Sequence, residues 1–313
     1  MMIKHKMATQ KFKSLPISVV IPSLGGDVLQ KTIKALNNST LTPSEIILCI
    51  PETEANSGPR YNFSNVKVIK TKVRGQVAQR AIGLTKSKEN IVLQLDDDIL
   101  VEKKTIEVMT IALIAKGPKN VMGPIYYSQP DYKYCLHRFP IGFLGWLRSL
   151  EAKIICNAPW GITRMGKNTQ IGIAYGVDPE YLSEEHFQTD WLPGGCVLSY
   201  KQDLVLEQFY PFPGKAYNED LIHSILRRRQ NITHWVVSQA KCSTDIFWNI
   251  RQFDDLKKDI KSKRYILDLM NSNTSFRFKI WLMIEYLKES MKRITKRPGS
   301  WLNKSSQKLS VKE

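Results

Sequence analysis

The stretch that most constrains the fold is Ile91-Val92-Leu93-Gln94-Leu95, followed at once by Asp96-Asp97-Asp98. Four of the five residues before the acids are aliphatic. That is how a strand buried on both faces reads, and such strands belong to parallel sheets covered by helices. In an open sheet of this kind, ligands bind in the crevice beyond the strand tips, where adjacent carboxylates offer hard oxygen ligands to Mg²⁺ or Mn²⁺. The competing reading is an acidic turn that caps a helix beginning near Glu102. The surrounding segments decide between the two.

Before this stretch, Pro16–Ser23 is a short β-branched run feeding a Gly25-Gly26 loop, and Asp27 opens a helical spacing (Val28, Ile33, Leu36) that ends at Asn37-Asn38. Glu45–Ile50 and Val66–Lys70 read as further strands. Arg74–Leu84 is a glycine-opened helix with Arg74 and Arg80 on its first turns. After the acids come a helix over Glu102–Ala115 and a strand at Val121-Met122. Strands alternating with helices in this order predict an α/β, doubly wound sheet. The periodicity weakens over Tyr126–Tyr181, where Ile141–Arg148 suits an interfacial helix, a lid or a core insertion. It returns at Trp191-Leu192-Pro193-Gly194-Gly195, which opens a strand, and at Asn218-Glu219-Asp220, which starts a helix; Ile232–Val237 is the last clear strand.

With 46 Lys and Arg against 29 Asp and Glu, the net charge of +17 implies anionic partners: phosphates, acidic glycans, nucleic acid or a membrane surface. Cys49, Cys135, Cys156, Cys196 and Cys242 show no Cys-x-x-Cys spacing, which argues against a disulfide framework or a zinc site and fits a reducing cytosol. Residues 1–14 are basic and hold no apolar signal-peptide core, and no stretch is apolar enough to span a bilayer. The expectation is a cytoplasmic protein, peripheral at the inner face of the cytoplasmic membrane.

Together these pieces resemble the family 2 glycosyltransferases of GT-A fold. The resemblance rests on Ser18–Pro22, on the Gly75…Ala78…Arg80…Gly83 helix, on Asp96-Asp97-Asp98 as the Asp-x-Asp signature, and on Trp191–Gly195 followed by Glu219-Asp220. It implies a mostly parallel sheet flanked by helices, with a C-terminal helical extension. The expected division is a basic arm (1–15), a catalytic domain (16–248, with a nucleotide-sugar half 16–125 and an acceptor half 126–248), a helical extension (249–298) and a basic tail (299–313). The implied activity is transfer of a sugar, with inversion, from a nucleotide-sugar donor to a glycan or lipid-linked acceptor in envelope or surface polysaccharide synthesis. A UDP-sugar is favoured over a GDP- or dTDP-sugar, and no nucleic-acid partner is expected.

Departure of a nucleoside diphosphate needs its negative charge compensated, and a divalent ion held by carboxylates does so as a Lewis acid. By the resemblance, Asp98 and Asp96 are the metal candidates and Asp96 lies nearer the ribose or the bridging water, while Asp97 either joins the donor site or points away, since alternate residues of extended chain face opposite sides. An inverting displacement also needs a base for the acceptor hydroxyl, and Asp220 matches that position with Glu219 as its orienting neighbour. Pro22, Ser23, Arg74, Gly75, Gly194 and Gly195 complete the expected donor site. Arg80 either neutralises the phosphates or sits on a solvated helix face, and Trp191 is either core or an acceptor platform.

Two features depart from the family pattern. The second strand ends in Cys49-Ile50-Pro51-Glu52, leaving Glu52 to stand in for an acidic pair at the nucleobase or ribose. No His follows the last strand, so a third metal ligand is either absent or supplied by Asp245, while His223 and His234 read as ordinary helix and strand-edge residues. The absence of a Gln-x-x-Arg-Trp signature favours addition of one sugar at a time.

The segment from Ser275 through Met291 is an aromatic, amphipathic helix, and beyond Phe276 the chain has ten Lys or Arg against three Glu. This suits contact with an anionic membrane surface, the alternative being a helix packed on the domain. The rival classes are a sugar nucleotidyltransferase, whose basic glycine-rich loop is not matched by Ser23-Leu24-Gly25-Gly26-Asp27, and a non-catalytic basic module binding nucleic acid or membrane.

Overall fold

The apolar runs of the first half form strands, and their burial explains why they read as continuous rather than alternating. A computed structural model describes residues 15–53, 63–129, 132–134, 142–244, 253–273 and 275–295. Strands β1 (Ile17–Pro22), β2 (Glu45–Pro51), β3 (Val66–Thr71) and β4 (Ile91–Leu95) pair in parallel in the order β3-β2-β1-β4. Every residue of β1, β2 and β4 is buried, because helices cover both faces. On one face Val19 and Ile21 meet Leu29, Ile33 and Leu36 of helix α1 (Asp27–Asn37), together with Ile106, Met109 and Leu113 of α3 (Thr105–Lys116). On the other, Val20, Ile47, Cys49 and Val92 meet Leu84 of α2 (Gln76–Lys86).

The sheet continues with β5 (Leu100–Val101), β6 (Asn120–Ser128), β7 (His186–Thr189), β8 (Cys196–Tyr200) and β9 (Thr233–Thr244). The full order is β3-β2-β1-β4-β8-β6-β9-β5, with β7 on β9. Strands β1–β4, β6 and β9 share one direction, and β5, β7 and β8 run against them. This is the doubly wound, mostly parallel sheet flanked by helices that the alternating pattern predicts. The reversed β8 is the decisive detail: it begins where β4 ends, so the amide of Asp96 donates to the carbonyl of Gly195 at 2.8 Å.

The remaining helices are α4 (Gly142–Ile154), α5 (Glu219–Arg229), α6 (Phe253–Leu269) and α7 (Ser275–Thr295). The Ile141–Arg148 stretch is thus, from Gly142 onward, the start of α4. The C-terminal extension packs on the sheet-bearing part of the chain: Ile266 of α6 joins Leu221, Ile222 and Ile225 of α5 in one buried cluster, and Phe278 of α7 joins Ala152 of α4 in another. His234 is fully buried between its partners on β6 and β7, rather than at a strand edge, and His223 is buried on α5.

Helix α2 approaches the sheet at a glycine. A Cβ on Gly83 would lie 2.4 Å from Val20 Cγ1 and 2.6 Å from Cys49 Sγ, both buried. Gly83→Ala gains helix propensity but overpacks this contact. The expected net result is a destabilisation of about 1–2 kcal/mol in urea unfolding. An unchanged midpoint would show that β1 and β2 can yield at this contact.

Candidate active site

The site forms where the ends of three elements converge. The tip of β4 delivers Asp96, Asp97 and Asp98, the first turns of α2 deliver Gln76 and Arg80, and the start of α5 delivers Glu219 and Asp220. Arg80 joins them. Its side chain is only 1% exposed; Nη2 donates to Asp96 Oδ1 at 2.7 Å and Nη1 donates to Glu219 Oε1 at 2.9 Å. Arg80 therefore lies on no solvated helix face and does not line the open cavity. The charges of Asp96 and Glu219, at hydrogen-bonding distance, hold it protonated despite its burial. Gln76, one turn earlier on the same helix face, donates to the same Asp96 oxygen at 2.9 Å.

The glycine pair exists to let these acids in. A Cβ on Gly194 would sit 2.6 Å from Glu219 Oε1, and one on Gly195 would sit 3.1 Å from Asp96 Oδ2. Gln94 of β4 donates to the Gly194 carbonyl, fixing the turn from below. A second buried bracket holds the other rim, where Gln79 donates to the carbonyls of Ser23 and Cys49 and accepts from the Gly75 amide.

The three acids of β4 have different fates. Asp96 is taken by Arg80 and Gln76. Asp97 turns toward β1 and accepts a hydrogen bond from Ser23 Oγ, while its carbonyl accepts from Thr32 of α1. Asp98 faces outward, with a hydrogen bond to Thr244 at the end of β9. Partial enclosure, with the Asp96 and Asp97 carboxylates beside it, pushes the Asp98 carboxyl up to about 6.

A cavity of about 720 Å³ opens over this ledge, lined by Pro22, Ser23, Leu24, Arg74, Gly75, Gln76, Asp96, Asp97 and Asp98, and closed from the far side by Gly214, Lys215 and Ala216. Arg74 and Lys215 are its cationic side chains. Glu52, at the end of β2, is exposed and does not line it. Trp191 is half-buried away from the cavity; its indole N–H donates to the Tyr175 carbonyl at 2.9 Å, and its ring borders a small apolar recess with Tyr175 and Pro193. Asp245 lies outside the described residues. Among the described residues, no three His, Cys, Asp or Glu side chains converge as a closed metal cage.

Beside Glu219, Asp220 is pushed up to about 7 by its burial and by the Glu219 charge. Its Oδ1 accepts from the Leu221 amide at 2.8 Å, and the Lys263 ammonium of α6 works in the opposite direction, favouring ionisation. Lys263 is placed by Asp259 at 2.6 Å and Asn218 at 3.2 Å, and Asn218 takes a left-handed conformation (φ 55°) at the start of α5. Arg227, also buried, is depressed to about 9 by burial and by Arg80 nearby. Gln76, Lys215, Thr244 and Lys263 were not singled out from the sequence. Only Gln76, four residues before Arg80 on one helix face, and Lys215, beside a loop glycine ahead of the acidic helix start, carried a usable signal.

Residues 18–163 match the family model described as glycosyl transferase family 2. No curated protein matches the sequence. Among solved structures the chain is similar to "Crystal structure of GalNAc-T7 with UDP, GalNAc and Mn2+", at 16% identity and a TM-score of 0.49 over 74% of this chain. The chain spans 43% of that structure's length.

Removing the shared cation should expose the coupling. Arg80→Met leaves Asp96 and the buried Glu219 uncompensated, with an expected loss of about 3–5 kcal/mol in chemical denaturation. Adding Glu219→Gln should recover part of that loss. Simple additivity of the two substitutions would mean that the ion pair does not couple the strand tip to α5.

Proposed function

We infer that the protein transfers a sugar from a nucleotide-diphosphate sugar to a hydroxyl of a glycan or lipid-linked acceptor, with inversion at the anomeric carbon. The observation that carries this reading is the double ion pair of Arg80, which holds a carboxylate-lined cavity against a second, half-buried acid, Asp220. Inverting transfer needs these two parts: charge compensation at the leaving group and a base for the incoming hydroxyl.

The residues at the strand tip suit a divalent cation. Mg²⁺ is commonly bound by one or two carboxylates together with substrate phosphates, and so requires no closed protein cage. Asp98, raised by its partial burial and by its acidic neighbours, gains from a cation beside it, and Asp96 keeps Oδ2 available on the Gly195 side. Asp98 and Asp96 would hold Mg²⁺ or Mn²⁺, which supplies Lewis-acid compensation for the departing diphosphate. Arg74 and Lys215 face the same cavity and add fixed positive charge for the phosphates. Ser23 and Gly75 shape the donor rim, while Gly194 and Gly195 keep the acids in place.

Asp220 is the base. Its raised proton affinity suits acceptance of a hydroxyl proton near neutral pH better than an ordinary carboxylate would. Glu219 orients the start of α5 through Arg80. A lipid-linked or envelope polysaccharide precursor at the cytoplasmic membrane face fits the basic surface of the chain.

Because the base must be ionised, kcat/KM should fall as pH drops through about 7 and level off above it. Asp220→Asn should abolish transfer from a nucleotide-sugar panel, UDP-sugars first, while leaving donor binding nearly intact; full turnover in that variant removes Asp220 from the role. The released product should be a nucleoside diphosphate, since pyrophosphate would identify a nucleotidyltransferase.

Calorimetry with UDP tests the other half of the site. Mn²⁺ should tighten UDP binding to the parent protein, and Asp98→Ala should remove most of that gain. An unchanged Mn²⁺ dependence would exclude Asp98 as a ligand.

A further inference from the structure

Helices α4 and α7 each bury one apolar face and expose another. On α4, Gly145, Ser149 and Ala152 face inward, while Phe143, Trp146, Leu147 and Ile154 are exposed, Phe143 to 75%. On α7, Phe278 is buried with Trp281 and Leu282 packed beside it, yet Phe276, Met283, Leu287 and Met291 are exposed, Phe276 to 74%. The spacings 143, 147, 154 and 276, 283, 287, 291 are steps of four and seven, so each set is a single stripe along its helix. An ordinary surface helix has one apolar stripe, directed at the core.

The two stripes belong to one platform. Lys288 Nζ is 2.8 Å from Glu151 Oε1, and Arg277 Nη1 donates to the Ile154 carbonyl at 2.8 Å. Glu151 lies one turn from both Leu147 and Ile154, and Lys288 lies next to Leu287, so the ion pair brings the exposed stripes together. Phe143 and Trp146 stack with ring centroids 6.1 Å apart.

Charge selects the occupant. Arg148, Lys153 and Lys279 are exposed on the same helices. Glu151 and Glu285, the acids whose side chains are described there, are both held by Lys288. From the end of α7 the chain goes on through Lys296, Arg297, Lys304, Lys308 and Lys312, with Glu313 the only acid. A second copy of this chain would bring like charges together. An anionic bilayer satisfies both the apolar stripes and the cations around them, and Trp and Tyr side chains such as Trp146 and Tyr286 favour its interface.

We propose that α4 and α7 together form a docking face for an anionic lipid bilayer, lying on its surface with the two exposed apolar stripes inserted at the headgroup boundary. No described helix is long and apolar enough to cross a membrane, consistent with a face that lies on the surface. The inference is independent of which sugar is transferred. The face also adjoins the acceptor side of the site: Tyr175, whose carbonyl holds Trp191, packs in the α4–α7 cluster, and Lys263 lies 5.4 Å over the Trp281 ring.

The test is sedimentation of the full chain with phosphatidylglycerol-containing vesicles and with pure phosphatidylcholine vesicles. Binding is expected to the first and to be much weaker to the second. Phe143→Ser/Trp146→Ser on α4 and Met283→Ser/Leu287→Ser on α7, each confirmed folded by circular dichroism, should each reduce partitioning about tenfold or more. Equal binding by the parent and both apolar variants would overturn the proposal, leaving only diffuse electrostatic attraction. Self-association in analytical ultracentrifugation that those same substitutions abolish, without vesicle binding, would assign the face to a second copy and also overturn it.

Discussion

The site depends on one buried cation. Arg80 gives up nearly all its hydration, a cost of several kcal/mol that is offset only if both partners are in place with good geometry. Asp96 and Glu219 meet that condition from elements more than a hundred residues apart in the chain. The contact fixes α2 against the tip of β4 and the start of α5 in one step. It also explains the glycine pair at the head of β8, since any side chain at Gly194 would strike the Glu219 carboxylate. The Pro-Gly-Gly turn, the strand-tip acids and the helix-start acids are therefore a single packing solution.

The C-terminal helices belong to that solution too. Asn218 can adopt its left-handed conformation because its amide is held by Asp259 at 2.6 Å and Ser262 at 2.7 Å. Lys263, on the next turn of α6, binds Asp259 and Asn218 and acts electrostatically on Asp220. The proton affinity of the proposed base is thus set partly by a helix that follows the last strand. An aromatic face of α7 rests on Lys263 in turn.

What was legible in the sequence follows from what local pattern can encode. Continuous aliphatic runs declared the parallel core because burial on both faces leaves no polar alternation to read. The acids at the end of Leu95 and the start of α5 were visible for the same reason, as polar residues at fixed element ends. Arg80 was ambiguous because helical spacing says which residues share a face but not what covers that face. The reversal of β8 was hidden because a short buried strand such as Cys196–Tyr200 reads alike in either direction, and this reversal brings Gly195 beside Asp96. Lys263 and Thr244 were missed because their roles depend on long-range packing, where no spacing rule applies. Glu52 showed the converse: its position at a strand end was suggestive, but the chain turns it to solvent.

The electrostatics divide the acids into two classes. Arg80 is shared between Asp96 and Glu219, whose carboxylates it pairs within the fold. Asp98 and Asp220 lie beside those two acids without sharing the guanidinium, and both are raised, to about 6 and about 7. Two carboxyls pushed up for the same reason need not act alike. Asp98 lines the same cavity as Arg74 and Lys215, where the proposed anionic donor and cation would together stabilise its ionised form. Asp220 is half-buried at the start of α5, where burial and the Glu219 charge favour its protonated form and Lys263 opposes them. One buried arginine, by pairing with the inner two acids, leaves the outer pair for the opposite ends of the proposed displacement.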